Sequence, residues 1–293
     1  MPAEALQRKI KITQDLREIV SNMKTLSSVS ILQYEQASTV LEKYQRNLQD
    51  AFHALAIHNG IPQLTASRTT KARCLFVLVG SDNGMVGRFN RDIIEETQGF
   101  LREQKINRQD AIFITVGKRL SVLAEQAGFN IVAGFATSNS VKAVVNLTES
   151  IIIRLENAIH KNRITDVYTG FHYRHGGGVR TEMQKILPLE SKSLQKLKYK
   201  RWETNNIPMV PVDKTQMFSE LVSEMLMITL ARHINSSLAA EHFTRMTNMQ
   251  NAEKNIDENL EEMNLIYQQQ RQEEITNELI DVISGANAMQ EGA

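Results

Sequence analysis

The chain has little of what interrupts a helix. Fourteen glycines and five prolines serve 293 residues, and twelve of the glycines fall between Gly60 and Gly178. No glycine precedes Gly60, and none lies between Gly178 and Gly285. Proline is absent from Ala3 to Ile61 and again from Val212 to the end. Because these two residue types punctuate turns and break helices, their absence from two long stretches, with only Gly285 and Gly292 in the tail, excludes a globule with turns spread evenly along it. It predicts one compact domain carrying two long helices. Cys74 is the only cysteine, which excludes an internal disulfide framework and fits a reducing compartment. No apolar run reaches the roughly eighteen residues of a membrane-spanning helix. The start, Met1-Pro2-Ala3-Glu4, has no apolar signal region. The chain reads as a cytoplasmic, bacterial protein.

Charge of neither sign dominates the whole, but it is unevenly placed. Residues 1–60 carry seven basic and six acidic side chains, residues 61–211 carry 22 and 13, and residues 212–293 carry 5 and 14. The balances are +1, +9 and −9, so different parts are suited to different neighbours. With 42% hydrophobic and 23% charged residues, the chain can bury a core and is not disordered.

Residues 1–60 read as one helix, from Pro2 to about Ile57. Its apolar positions run Leu16, Ile19, Met23, Leu26, and later Ala37, Leu41, Tyr44, Leu48, Ala51, Leu55. The second set has the 4-3 spacing of a heptad seam. Residues 212–293 read as a second helix from Thr215 to about Ser284, ending at Gly285. Phe218, Leu221, Met225 and Ile228 form one stripe on it, and Met246, Met249, Ala252, Ile256, Leu260, Met263 and Tyr267 another. At 1.5 Å per residue these helices are roughly 80 and 100 Å long. Neither can leave its stripe in water, so the simplest arrangement pairs them antiparallel.

Between them, residues 61–211 change period. Cys74–Val79 and Ala111–Val116 are continuous apolar runs before Gly80 and Gly117, as expected of strands buried on both faces. Helices are expected over about 90–104, 119–128 and 141–161. Two further strands, 167–173 and 183–189, flank Gly176-Gly177-Gly178 as a hairpin. The predicted fold class is α/β: a long antiparallel coiled coil plus a small central domain with a mixed, mainly parallel sheet.

Few residues in this domain suggest chemistry. Gly80, Gly84 and Gly87 follow a strand without the GxGxxG spacing, and there is no GxxxxGK(S/T) loop. They suit a tight turn better than a phosphate. His172 and His175 are spaced like metal ligands, but strand alternation sets them on opposite faces. Ser81, Asp82 and a distant histidine form no recognisable triad. The run Lys192, Lys196, Lys198, Lys200, Arg201, with Tyr199 and Trp202 interleaved, resembles a nucleic-acid contact. It is short in a chain of near-zero net charge, and a solvated segment or a contact with an acidic protein is preferred. No catalytic, cofactor-binding or metal-binding set is read. An α/β enzyme whose helical arms only oligomerise it is the alternative.

Several stretches resemble the gamma-subunit family of F-type ATP synthases. Ile275-Thr276-Asn277-Glu278-Leu279-Ile280-Asp281-Val282-Ile283-Ser284-Gly285-Ala286 is similar to the family's C-terminal signature, I-T-x-E-L-I-E/D-I-I/V-S/G-G-A. Ser237 to Met246 resembles its S-E-x-x-x-R-M segment. Arg8-Lys9-Ile10 and Ser21 to Leu26 resemble N-terminal elements, and Ser81 to Asn90 resembles S-D-R/K-G-L-C-G-x-F/Y/L-N. They fall in order across nearly the whole chain.

The resemblance implies a central rotor shaft. Its coiled coil turns inside a hexamer of alpha and beta subunits. Its α/β foot meets the epsilon subunit and the c ring, peripheral to the cytoplasmic side of the bacterial membrane, with no nucleic acid and no cofactor. A coil without threefold symmetry touches three identical beta subunits differently, giving each catalytic site a different nucleotide affinity. Carried over residue by residue, Arg271 and Gln272 meet one loop of beta, and Met23 and Lys24 its lower part. Leu279, Ile280 and Ile283 lie in the tip that turns in an apolar bearing. The chain departs from the family pattern at Ser27 to Gln33, which lacks the usual basic cluster, at Asn83 for Arg or Lys, at Val86 for Cys, and at Gln268 to Gln270. These departures point to a divergent or alternative F-type complex.

Overall fold

The structure is a computed structural model that describes residues 3–58, 60–61, 73–189, 197, 199, 201–202, 206, 208–210 and 213–291. Its elements in chain order are α1 (Ala3–Ile57), β1 (Cys74–Val79), α2 (Phe89–Glu103), β2 (Ala111–Val116), α3 (Lys118–Gln126), β3 (Ile131–Phe135), α4 (Val141–Asn162), β4 (Asp166–His175), β5 (Gly178–Leu187) and α5 (Lys214–Glu291). Its contacts divide the chain into two compact units, Ser28–Arg245 and Met1–Ser27 with Met246–Ala293.

The larger unit is built on a five-stranded sheet of order β3-β2-β1-β4-β5. β1 pairs parallel with β2 and β4, β2 pairs parallel with β3, and only the β4–β5 hairpin is antiparallel. β1 and β2 are apolar throughout because both of their faces are covered. On one face Cys74, Phe76 and Leu78 pack with Phe113, Tyr168 and the α2 and α3 residues Ile93, Leu101 and Leu120. The rings of Phe113 and Tyr168 stack on Phe76 at 5.2 and 5.1 Å. On the other face Leu75, Val77 and Val79 meet Ile151 and Leu155 of α4, Tyr34 of α1, and Leu230, Ile234 and Leu238 of α5. Fully burying each such side chain contributes about 1.5–3 kcal/mol, so the helices within this unit form part of the domain's core.

β3 is a strand that the apolar pattern does not announce. It is five residues long, carries Gly134, and sits at the sheet edge with two of its five positions exposed and none buried. Cys74 is 1% exposed, and burial pushes its thiol up to about 11. Gly117, between β2 and α3, has φ +118°, and a Cβ there would lie 2.8 Å from the backbone N and O of Ser81. Gly117→Ala is therefore expected to lower the unfolding free energy by at least about 1–3 kcal/mol, read as a reduced urea midpoint of the full chain.

In the smaller unit, α1 and α5 pair antiparallel. Leu6 and Ile10 pack with Leu260 and Met263. Arg17 then pairs with Asp257, and Lys24 with Glu253. The α5 stripe from Met249 to Tyr267 is buried or half-buried, as its spacing predicts. The expected stripe on α1 is not the one buried: Leu16, Ile19 and Leu26 are 49, 56 and 68% exposed. The seam lies one residue further round, at Leu6, Ile10, Thr13, Arg17, Val20, Lys24 and Ser27, in unbroken 4-3 order. It accepts charged residues because Asp257 and Glu253 answer them from across the coil. In the larger unit the same spacing continues through Ile31, Tyr34, Leu41, Leu48, Phe52 and Leu55, and Tyr44 stays 43% exposed beside it. α5 also does not stop at Gly285 but runs on to Glu291. One glycine inside a helix costs only about 1 kcal/mol, and Ala286-Asn287-Ala288-Met289 can continue the turns.

Candidate functional site

In open α/β sheets, ligands bind beyond the carboxyl ends of the strands where the strand order reverses. Here that point lies between β1 and β4, and the loop after β1, Gly80 to Arg88, leads into it. The loop's polar groups are engaged internally. Ser81 N–H donates to Asn90 Oδ1 at 2.9 Å, and Asn90 Nδ2 donates to Ser81 Oγ at 2.8 Å. Asp82 Oδ1 accepts from the backbone N–H of Lys118 at 2.8 Å and of Thr137 at 3.0 Å, tying the ends of three strands together. Gly87, at φ +56°, makes the tight turn that its spacing suggests.

The crevice itself is filled. The Phe89 ring lies 3.7 Å from His172, and Val86 and Phe89 pack against Ala240 of α5. Val86, where the family pattern has cysteine, is 2% exposed and serves as filler. His172 is buried and neutral, its pKa pushed down to about 3 by burial. Its Nδ1 sits 3.0 Å from Thr181 Oγ1. His175, three residues on, is exposed at the hairpin end, so the pair does not converge. Among the described residues no group of three histidine, cysteine or carboxylate side chains is placed to hold a metal ion.

Lys192, Lys196, Lys198 and Lys200 lie outside the described residues. Trp202 rests its ring 4.9 Å from His53, so it is not a free stacking platform, whereas Tyr199 is 85% exposed. A cleft of about 520 Å³ between α1, the β4–β5 hairpin and α5 is lined by Glu35, Glu42, Glu182, Arg174 and Arg232. Glu35 and Arg174 pair with each other there.

The positions singled out by resemblance lie on the helices of the smaller unit. Met23 is half-buried. Lys24 is bound to Glu253, whose carboxylate that ammonium holds below its ordinary range. Arg271 is exposed and reaches Glu274 one turn on, at 3.5 Å. Gln272 is exposed, and its carbonyl accepts from Thr276 Oγ1 at 2.8 Å. Leu279, Ile280 and Ile283 are 57, 53 and 59% exposed. Ile12, Leu16 and Ile19 on α1 are likewise exposed apolar side chains, at 67, 49 and 56%. Between Gln268 and Ser284 only Gln270 and Glu274 are even half-buried. No helix of the described residues is long and apolar enough to cross a membrane.

Residues 3–289 match the family described as ATP synthase. The ATP synthase gamma chain of Sulfurihydrogenibium sp. (strain YO3AOP1) is 26% identical over 292 residues, covering 97% of each chain. That of Cytophaga hutchinsonii is 24% identical over 299 residues, covering 99% of each. Among solved structures, the rotor of the Euglena gracilis mitochondrial ATP synthase superposes with a TM-score of 0.59 at 14% identity, over 93% of this chain and 98% of that one. The Tetrahymena thermophila mitochondrial ATP synthase central stalk and c-ring structure gives 0.54 at 16%, over 80% and 99%. At such identity the structures establish a common fold, and the family match establishes more: the chain belongs to the ATP synthase family, where its full-length relatives are gamma chains.

Proposed function

We infer that the chain is the central rotor shaft of an ATP synthase, coupling ion flow through a c ring to the conformational cycle of catalytic sites on other subunits. The observation that carries this is the exposed apolar surface of α1 and α5. Ile12, Leu16, Ile19 and Leu26, and at the far end of α5 Leu279, Ile280, Val282 and Ile283, all stand at least 49% exposed. Exposed apolar side chains gathered along one helix face, as at 4-3 spacing on α1, belong to a protein interface. Covering each side chain fully is worth about 1.5–3 kcal/mol, so an encircling partner supplies the missing burial. The crevice where an α/β enzyme would hold its substrate is packed with Phe89, His172 and Ala240. In this reading the chain holds no catalytic residue of its own.

The parts then take the following roles. Residues 1–60 and 212–293 form the shaft, and residues 61–211 the foot that meets the epsilon subunit and the c ring. The assembly lies peripheral to the cytoplasmic face of a bacterial membrane. Met23 and Lys24 face the lower part of a beta subunit. Arg271 and Gln272 face one of its loops, and Leu279, Ile280 and Ile283 turn in the bearing formed by the hexamer. An asymmetric coil biases three otherwise identical sites differently, and its rotation permutes those biases.

The test is co-expression with neighbouring ATPase genes and capture through a tag on this chain. Recovery of alpha and beta subunits supports the reading, and their absence overturns it. Ending the chain after Ile275 is expected to cut the recovered complex, or its ATP-driven ion uptake per ATP hydrolysed, several-fold. A catalytic site in the α/β domain would be untouched by that deletion.

A further inference from the structure

β4 outlasts its neighbour. β1 pairs with it from Cys74↔Asp166 to Leu78↔Gly170 and ends, whereas β5 accompanies it to His175↔Gly178. On the side that β1 vacates, the His172 backbone has no strand to bond. α5 takes its place: His172 N–H donates to Ser237 Oγ at 2.8 Å, and Ser236 Oγ donates to His172 O at 3.0 Å. Two residues before Phe171, Thr169 Oγ1 is 2.7 Å from His233 Nδ1, and the His233 ring stacks on Phe171 at 3.9 Å and 4°. At the outer end Arg174 pairs with Glu35 of α1 and lies 4.4 Å over the Phe243 ring of α5. One half-strand therefore touches both long helices through directional contacts.

Directionality matters because apolar ridges can re-seat when a helix slides by a turn, about 5.4 Å, whereas hydroxyl-to-backbone bonds cannot. Any slip of α5 leaves buried N–H and C=O groups of His172 without partners, which is strongly disfavoured. We propose that the outer half of β4, Thr169 to Arg174, is the grip by which the α/β domain holds α1 and α5 against axial and rotational slip, with Ser236, Ser237 and Arg174 as positioning residues. Its mechanical consequence rests on the rotor reading; its geometry does not.

Two measurements test it. In the free full-length chain, Ser237→Ala is expected to speed hydrogen exchange of the His172 amide at least tenfold, and Ser237→Thr, which keeps a hydroxyl, to restore slow exchange. In the assembled complex, Ser236→Ala/Ser237→Ala and, separately, the fold-sparing Arg174→Gln are expected to reduce ATP-driven ion uptake per ATP several-fold, with Ser237→Thr near wild type. Unchanged exchange at His172 in Ser237→Ala overturns the grip, as does a wild-type coupling ratio in complexes carrying the double variant or Arg174→Gln. If the wild-type chain assembles with no ATPase subunits, the rotor reading falls, and the His172 amide still decides the grip.

Discussion

Arg245→Met is expected to lower the unfolding free energy by about 3–5 kcal/mol, the usual cost of breaking a buried ion pair by removing one partner. Arg245 and Glu241 lie one turn apart on α5, with side chains only 9 and 5% exposed. Burial already raises the Glu241 carboxyl above its ordinary range, with Arg245 opposing the shift and Asp82 adding to it. Without the guanidinium the carboxylate has no compensating charge, and it takes up a proton in the folded state. A carboxyl whose folded pKa exceeds its unfolded one binds more protons when folded, so stability falls as pH rises through the folded value. The deficit of the variant relative to wild type is therefore largest at neutral pH and narrows toward pH 4.5. Urea titrations of both proteins at pH 7 and pH 5 measure it. A deficit below about 1 kcal/mol, or one that grows on acidification, would show that the pair is not what holds Glu241 in place. Glu241→Leu/Arg245→Met, which removes both charges, should recover most of the loss.

The second large effect is acid lability of the larger unit. His172, His233 and His242 are held neutral by burial, which lowers their pKa values to about 3, 3 and 4 from 6.5. Arg232 adds to the lowering at His233, and Arg245 at His242. Each histidine binds a proton in the unfolded chain below 6.5 that it does not bind when folded. The stability they confer is thus complete above pH 6.5 and is lost as pH falls toward 4. Each contributes a slope of up to about 1.4 kcal/mol per pH unit, and the three together about 4. His242→Phe keeps the ring stacked on Tyr34, now 5.6 Å away at 15°, but removes one titration. It should flatten the slope by about a third. Denaturant midpoints between pH 7.5 and pH 4.5 check this, and a flat profile across that range excludes it.

How far the sequence could be read depended on whether a residue's partner lies near it in the pattern. β1 and β2 were legible to the residue because strands buried on both faces leave continuous apolar runs. β3 was not, because an edge strand of five residues with a glycine in it looks like a loop. On α1, apolarity alone selected Leu16, Ile19, Met23 and Leu26, one residue away from the buried seam. Arg17 and Lys24 are seam residues only because Asp257 and Glu253 stand opposite, more than 220 positions along the chain. The grip on β4 was hidden for the same reason: Ser236 and Ser237 are unremarkable until the strand beside them runs past its neighbour. The filled crevice at Phe89 and His172 was likewise out of reach. The roles proposed for Met23, Lys24, Arg271, Gln272 and the tip residues rest on family resemblance, since the surfaces they would meet belong to other chains.

The outward stripe of α1 has a consequence for the life of the protein before assembly. Ile12, Leu16 and Ile19 are 67, 49 and 56% exposed on one face of α1, so a newly made copy carries apolar side chains into water. Exposed apolar surface of this extent recruits chaperones, other orphan copies or proteases. On the rotor reading, a cell making this chain in excess of its partners accumulates an adhesive surplus rather than a harmless one. On the same reading, synthesis matched in amount and timing to the partner subunits follows from one face of a single helix.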